Sequence, residues 1–478
     1  MTKNNSASKL PTESWLKHLL ANRIGMDRAI FFTVLARSWQ ALYGIVNLVL
    51  IARFLSPAQQ GYYYTFYSIV ALQIVFELGF SFVILQLAAH ERAHLTFLPQ
   101  GVIEGDSVSH SRLASVLQKA VHWYFAMGIF MAAVLVPAGI FFFSSHQRVG
   151  DSIPWQMPWC ALVLVAMLAF QIDPVFSFLE GCGFVAEVAQ RRFTQAIVGS
   201  IVAWAAMIQH HGLFAPAFFI LGQVVVGLGY LLSKRHYKLL RNLLTYPVQG
   251  HFVGWRKEIW PFQWKIAVSW MCGYFIYQLF SPVLFAFQGP VAAGRMGMSL
   301  QVATGIGSIA IAWMNTKASP FGAMVARREY KQLDQLFNRT LKQSTALLGF
   351  GCALFLALLI AFAPSFQHFA SRLLPPWVIA IMLVNTILNH IVYSQALYLR
   401  AHKEEPFVGQ AVISAILIAS LTMYLGKYSG AGAVVVGVFV QGALFGLPYA
   451  TYIFVSKRRT WHTVSRPAVT VRIVGAAE

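Results

Sequence analysis

The sequence predicts an all-α polytopic membrane protein of about twelve transmembrane helices, in two parallel-related six-helix bundles with a central cleft. Three observations carry that expectation: bulk composition, the spacing of apolar runs, and an internal repeat. Of 478 residues, 58% are hydrophobic and 11% charged, with a mean hydropathy of +0.61. Soluble domains carry roughly a quarter of charged residues, so the composition does not fit a water-soluble globule. A crossing takes ~20 residues to traverse ~30 Å of hydrocarbon, and a chain of this length accommodates a dozen with short connections.

From the N-terminus, residues 1–28 are polar and mixed in charge and form a segment on the cytoplasmic side. Trp15, Leu16, Leu19, Leu20 and Ile24 recur there at helical spacing beside Lys17 and Arg23, which fits a surface helix; disorder is the alternative. The apolar stretch that follows is longer than a signal-peptide core and has no small-residue cleavage site, so the segment is expected to be retained. Apolar runs then fall at about 29–52, 61–86, 121–143, 157–180, 190–208 and 213–232 in a first bundle spanning 29–232. A basic cytoplasmic linker of 233–258 leads to a second bundle, 259–455. Its runs fall at about 259–283, 291–316, 343–365, 375–399, 406–426 and 431–455, and a cytoplasmic tail covers 456–478. The fifth run begins beside Arg191 and Arg192 and the seventh contains Lys265, which makes these two the least apolar.

The net charge of +20 does not mark a nucleic-acid surface, because the basic residues sit in short clusters between apolar runs. Alternate loops hold them: the N-terminus, Arg191/Arg192, the loop from Lys234 to Lys257, that from Arg327 to Lys342, Arg400/Lys403 and the tail from Lys457. The opposite loops hold only Arg53, Arg148, Arg372 and Lys427, so the positive-inside rule places both termini in the cytoplasm. Cys160, Cys182, Cys272 and Cys352 lie in apolar surroundings without CxxC or Cys/His spacing and read as packing residues.

Phe54, Pro57 and Gly61 after the first span recur as Phe287, Pro290 and Gly294 after the seventh, at a constant offset of 233. Upstream, Ala36, Ser38 and Trp39 recur as Ala267, Ser269 and Trp270 at an offset of 231. An even number of spans per half gives both halves the same orientation, so the repeat is parallel, with substrate expected in the cleft between bundles.

Ionisable residues inside spans are the first functional candidates, since an unpaired charge in hydrocarbon costs on the order of several kcal/mol. At ~1.5 Å per residue Arg37 falls near mid-membrane, either lining a cavity or pairing with Glu77 of the next span. Lys265 lies about two turns into the seventh span and Arg295 just inside the eighth; each faces the cavity or snorkels to the interface. Together Arg37, Lys265 and Arg295 suit a phosphate or pyrophosphate. Glu77 and Asp173, the latter before Pro174, are candidates for binding a coupling ion or for structural ion pairs. His122 and His390 read as interfacial or packed. Tyr62, Tyr63, Tyr64, Phe66 and Tyr67 form an expected interfacial belt, with sugar stacking as the alternative. Gly442 and Gly446 form a GxxxG for close helix packing. No Walker, GxSxG or HExxH motif occurs, and the connections on the outside are short, so no enzyme, catalytic residue, metal or cofactor is expected.

The run from Phe54 to Phe80, with its Pro- and Gly-containing turn and the Glu77-Leu78-Gly79 segment, resembles the polysaccharide-exporter branch of the multidrug/oligosaccharidyl-lipid/polysaccharide transporter superfamily. The resemblance implies an alternating-access flippase for undecaprenyl-pyrophosphate-linked oligosaccharide in a bacterial inner membrane. Its implied partners are membrane lipids and the glycosyltransferases and glycan polymerase of the same pathway, with no nucleic acid. No site residue is carried over, because the branch has no strict substrate motif. A proton- or sodium-coupled drug exporter is the rival within the superfamily, and a membrane glycan polymerase or glycosyltransferase the rival of enzyme class.

Overall fold

The computed structural model describes residues 28–98, 101–147, 153–248, 250, 252–362, 367–402 and 405–464. The surface helix expected around Trp15 and most of the tail lie outside these residues. Nine described helices are long and apolar enough to cross a membrane, and two bent pairs bring the number to eleven. In lipid every backbone group must find its partner inside the chain, which is why apolar runs of this length become helices.

The first bundle opens with α1 (Arg28–Phe54), α2 (Pro57–Val70), α3 (Gln73–Glu77) and α4 (Phe80–Arg92). A hairpin of β1 (Leu95–Phe97) and β2 (Ile103–Gly105) leads to α5 (Ser107–Ser145), α6 (Gln156–Gly181), α7 (Val185–Ile208) and α8 (Ala215–Leu231). Helix α7 completes a set of six; Glu187, Arg191 and Arg192 in its first turns keep it below the apolarity of the others. The 190–208 run therefore starts too late, and both arginines are helix residues rather than loop residues.

The connecting segment holds α9 (Lys234–Thr245), and the second bundle follows as α10 (Trp260–Tyr277), α11 (Phe280–Gln288), α12 (Pro290–Asn315) and α13 (Ala318–Ala326). It continues with α14 (Tyr330–Phe362), a short α15 (Gln367–Ala370), α16 (Pro376–Arg400), α17 (Val408–Tyr428), α18 (Ala431–Gln441) and α19 (Leu447–Val464). The first and last described residues, Arg28 and Val464, and the described Lys/Arg-rich connections gather at one end of the helices, here the basic face.

Local chemistry sets the repeated turns. Ser56 caps α2 with a capping box, accepting from the Gln59 amide at 3.1 Å while Gln59 Oε1 accepts from the Ser56 amide at 2.9 Å; Pro57 takes the first helical position. Pro290 starts α12 in the same way, after Gly289 at φ 90°. The second and seventh spans are bent, by 45° at Leu78–Gly79 and by 41° at 278–279. Both Leu78 (φ 51°) and Gly79 (φ 68°) are left-handed, a conformation that costs a leucine about 1–2 kcal/mol and that ends α3. The bend of the second span packs against the first half of α10: a Cβ on Gly79 would lie 2.4 Å from Ile266.

Helix α5 has 39 residues, ~58 Å long, so its first turns project beyond ~30 Å of hydrocarbon at the basic face. The linker is folded onto this projection. Leu239, Leu240 and Leu243 of α9 are buried, and Gln118 of α5 donates to the carbonyls of Leu243, Leu244 and Tyr246 at 3.1, 3.2 and 2.9 Å. Arg112 bridges Glu91 at 2.8 Å and Glu258 at 2.5 Å, tying the entrance of the seventh span to the first bundle. One apolar core runs through both halves, while Met314, Phe321, Leu333, Phe337, Tyr398 and Phe454 form a separate cluster within the second half.

Candidate functional site

The halves meet along α2, α11 and α12 at the end away from the basic face, and the repeated residues make that contact. A Cβ on Gly61 would lie 1.9 Å from the Pro290 carbonyl oxygen, and one on Gly294 would lie 2.8 Å from the Gly61 amide nitrogen. The backbones touch because neither glycine has a side chain. Between helices in lipid, packing rather than water exclusion drives association, so such small-residue contacts carry more weight than added apolar bulk. Around them, Gln60 Nε2 donates to the Gly294 carbonyl at 2.8 Å and to the Arg372 carbonyl at 3.1 Å, and Tyr64 donates to Gln301 Oε1 at 2.6 Å. Arg372 is buried and donates to the Ala52 carbonyl at 3.2 Å.

This seal corrects one expectation. Tyr62, Tyr63, Tyr64 and Phe66 are not an interfacial belt: all are buried, Tyr62 with its ring 4.8 Å from Phe285 of the other half. Helix α2 lies between the bundles and is surrounded on every side, so its aromatics pack against protein.

Arg37 is exposed and hydrogen-bonds only Gln40, at 3.4 Å, among the described residues. Thr33, Arg37, Gln40 and Gly44 follow helical spacing and make a stripe roughly a third of a turn from the lipid-type stripe of Val34, Ile45 and Val49. The Arg37–Glu77 pair allowed by the sequence does not form. Glu77 instead accepts a hydrogen bond from Ser81 at the start of α4, just past the Leu78–Gly79 break, with Tyr124 and Asp173 in its electrostatic neighbourhood.

Asp173 pairs with Arg191 at 2.5 Å; the arginine side chain is 4% exposed and lies 3.4 Å from the Phe176 ring, while the carboxylate side chain is 65% exposed. Asp173 sits nine residues after the exposed Leu164, half a turn round the helix, and so lies on the opposite face of α6. Helix α6 runs through Pro174 without interruption. Arg295, at the beginning of α12, donates to the Ser371 carbonyl at 3.0 Å and so stands beside the seal. Lys265 is on α10, and its side chain lies outside the described residues. His390 is buried against Ser344 at 2.9 Å and His122 is exposed, contacting the Gln118 carbonyl at 2.6 Å.

Of the site candidates, then, Glu77 and Asp173 come together, Arg37 stands on its own helix face, and Arg295 belongs to the seal. Gln60, Tyr64, Gln301 and Arg372 were missed, since a neutral amide or a loop arginine carries no signal without its partner. The repeated glycines pointed at the place where they lie.

No family profile and no curated protein matches the sequence. Solved structures do. The inward-facing conformation of a multidrug resistance MATE family transporter of the MOP superfamily matches with a TM-score of 0.68 at 13% identity, over 90% of this chain and 99% of that one. The lipid II flippase MurJ in an inward closed conformation matches with a TM-score of 0.63 at 12% identity, over 91% of this chain and 90% of that one. For the outward-facing conformation of a MATE family transporter the TM-score is 0.50 at 14% identity, over 91% and 96%. The chain is a multi-pass membrane protein with the fold that these MOP superfamily transporters share.

Proposed function

We propose that the chain is a flippase that turns an undecaprenyl-pyrophosphate-linked oligosaccharide, an O-antigen or exopolysaccharide repeat unit, across a bacterial inner membrane by alternating access. The observation that carries the reading is the charge balance of the candidate residues: Asp173 is neutralised by Arg191, whereas Arg37 meets no carboxylate among the described residues. An uncompensated guanidinium at that depth favours an anionic headgroup, which it can hold through two parallel hydrogen bonds. Lys265 is assigned the same role from its place on the seventh span, and Arg295 binds phosphates only when the seal opens. The glycan and pyrophosphate occupy the cleft while the polyprenyl tail stays in lipid. The basic face is the cytoplasmic one on the positive-inside argument, so a seal at the other end corresponds to an inward-facing state. Membrane lipids, glycosyltransferases and a glycan polymerase of the pathway are its partners in this reading.

In a flippase-deficient strain, Arg37→Ala is expected to abolish glycan display at normal expression, and Arg37→Lys to restore it only in part. Full display by Arg37→Ala would sink the assignment. A second reading, a proton- or sodium-coupled drug exporter, is favoured by Glu77, which has a neighbouring carboxylate in Asp173 and no cationic partner among the described residues. It predicts that the chain protects cells from cationic toxins and that Glu77→Gln removes the protection.

A further inference from the structure

The second bundle contains an open cavity of about 230 Å³ lined by the seventh span and the last three helical spans. Its lining carries the neutral polar side chains of Ser269, Asn389, Gln410, Ser414 and Gln441, together with Arg400 and Glu405. Gln410 and Gln441 donate their amides to Ser414 Oγ at 3.2 and 3.1 Å, so these three side chains form one hydrogen-bonded cluster in the wall. Asn389 makes no side-chain hydrogen bond to any described residue. Polar groups inside a membrane bundle are costly unless paired or wet, so a cluster of amides and hydroxyls lining a cavity marks a place that can receive a polar guest.

The charges at the mouth cancel, since Arg400 grips Glu405 through contacts of 2.7, 2.9 and 3.1 Å. The twelfth span widens here into a π-turn, Gly442–Gly446, both glycines lining the cavity. Such turns shift backbone and side chains out of helical register and recur at binding sites. Tyr277 and Phe407 add apolar ring surface to the wall.

We infer that this cavity binds one uncharged sugar residue. Neutral amides and hydroxyls match sugar hydroxyls, which both donate and accept, and aromatic rings cover a sugar's C–H face. Among the described residues the charges of the lining, Arg400 and Glu405, are spent on each other, so the described lining offers a uronic acid no counter-cation. The volume is below the ~300–1,000 Å³ of drug-sized sites, which suits one ring rather than a chain. The inference rests on the flippase reading for its meaning, the glycan end of the cargo docking in the second bundle while the pyrophosphate meets Arg37.

The test uses the purified full chain in lipid nanodiscs, with saturation-transfer NMR on methyl galactoside, methyl glucoside and methyl glucuronide. Transfer is expected to the neutral glycosides and to fall about tenfold in Gln441→Leu and in Gln410→Leu. A readout on the unmodified chain comes from Cys272, which lines the cavity while Cys160 does not: neutral glycosides should slow alkylation of Cys272 alone. Unchanged transfer in both variants, unprotected Cys272, or equal transfer to the glucuronide overturns the inference. Loss of display in Arg37→Ala with undiminished sugar transfer in Gln441→Leu would keep the flippase and remove the pocket; the reverse pair of results would keep the pocket and remove the flippase.

Discussion

Replacing Gly61 by alanine should force the two halves apart at the seal. The new Cβ would lie 1.9 Å from the Pro290 carbonyl oxygen, 2.5 Å from its carbon and 2.8 Å from its Cα, all backbone atoms that no rotamer change can move. Ordinary van der Waals contact begins near 3.4 Å, so the helices must separate by roughly 1.5 Å. The cross-half hydrogen bonds of Gln60 at 2.8 and 3.1 Å and of Tyr64 at 2.6 Å then stretch out of range. At about 1 kcal/mol each this removes about 3 kcal/mol from the sealed state, a shift of more than ~100-fold toward separation. The assay is maleimide labelling of Thr65→Cys, a fully buried position on α2, by an impermeant reagent added at the sealed face. Gly44→Ala is the matched control, because a Cβ there meets nothing within 4 Å. Labelling in the Gly61→Ala background no faster than in the Gly44→Ala background would refute the assignment of the seal.

Other outcomes follow from single contacts. Asp173→Asn leaves Arg191 buried without its anion; because the carboxylate side chain is 65% exposed, the loss should be about 1–2 kcal/mol rather than the 3–5 of a fully buried pair, read as a lowered unfolding temperature that Arg191→Met partly recovers. At the basic face the Arg112 guanidinium holds the Glu258 carboxyl below its ordinary range. A depressed carboxyl stabilises above its unfolded value of about 4.3 and loses that contribution as pH falls through the folded value. The wild-type chain should therefore unfold at a higher temperature than Glu258→Gln at neutral pH, with the gap closing below about pH 4; a gap independent of pH would show that the bridge contributes nothing.

Much of the fold was legible because the bilayer imposes a length and a composition on every crossing. Twelve spans announced themselves as apolar runs, and 61–86, 190–208 and 259–283 are among those whose structure departs from the reading. Helix α7 already begins at Val185, with Arg191 paired to Asp173, and the second and seventh spans break at 78–79 and 278–279. The linker was read as a basic loop, yet Leu239, Leu240 and Leu243 share a helix face that α5 covers. The aromatic run at 62–67 was misplaced for a similar reason: a tyrosine at a lipid headgroup and a tyrosine between two bundles look alike in one dimension.

What the sequence determined by itself is the membrane-spanning body, its two-fold duplication and the residue types available inside it, since these depend on hydropathy and on offsets along the chain. The pairing of those residues was decided by tertiary structure. Arg37 and Glu77 stand on consecutive spans and were natural partners by distance along the sequence, but the left-handed turn at Leu78–Gly79 presents Glu77 to Ser81 and leaves Arg37 on another face. Gly61 and Gly294, 233 positions apart, touch because the two halves close about their shared turn. Contacts between helices depend on the rotation of each about its axis and on the packing of the two halves, and neither quantity is written in the period of a single helix.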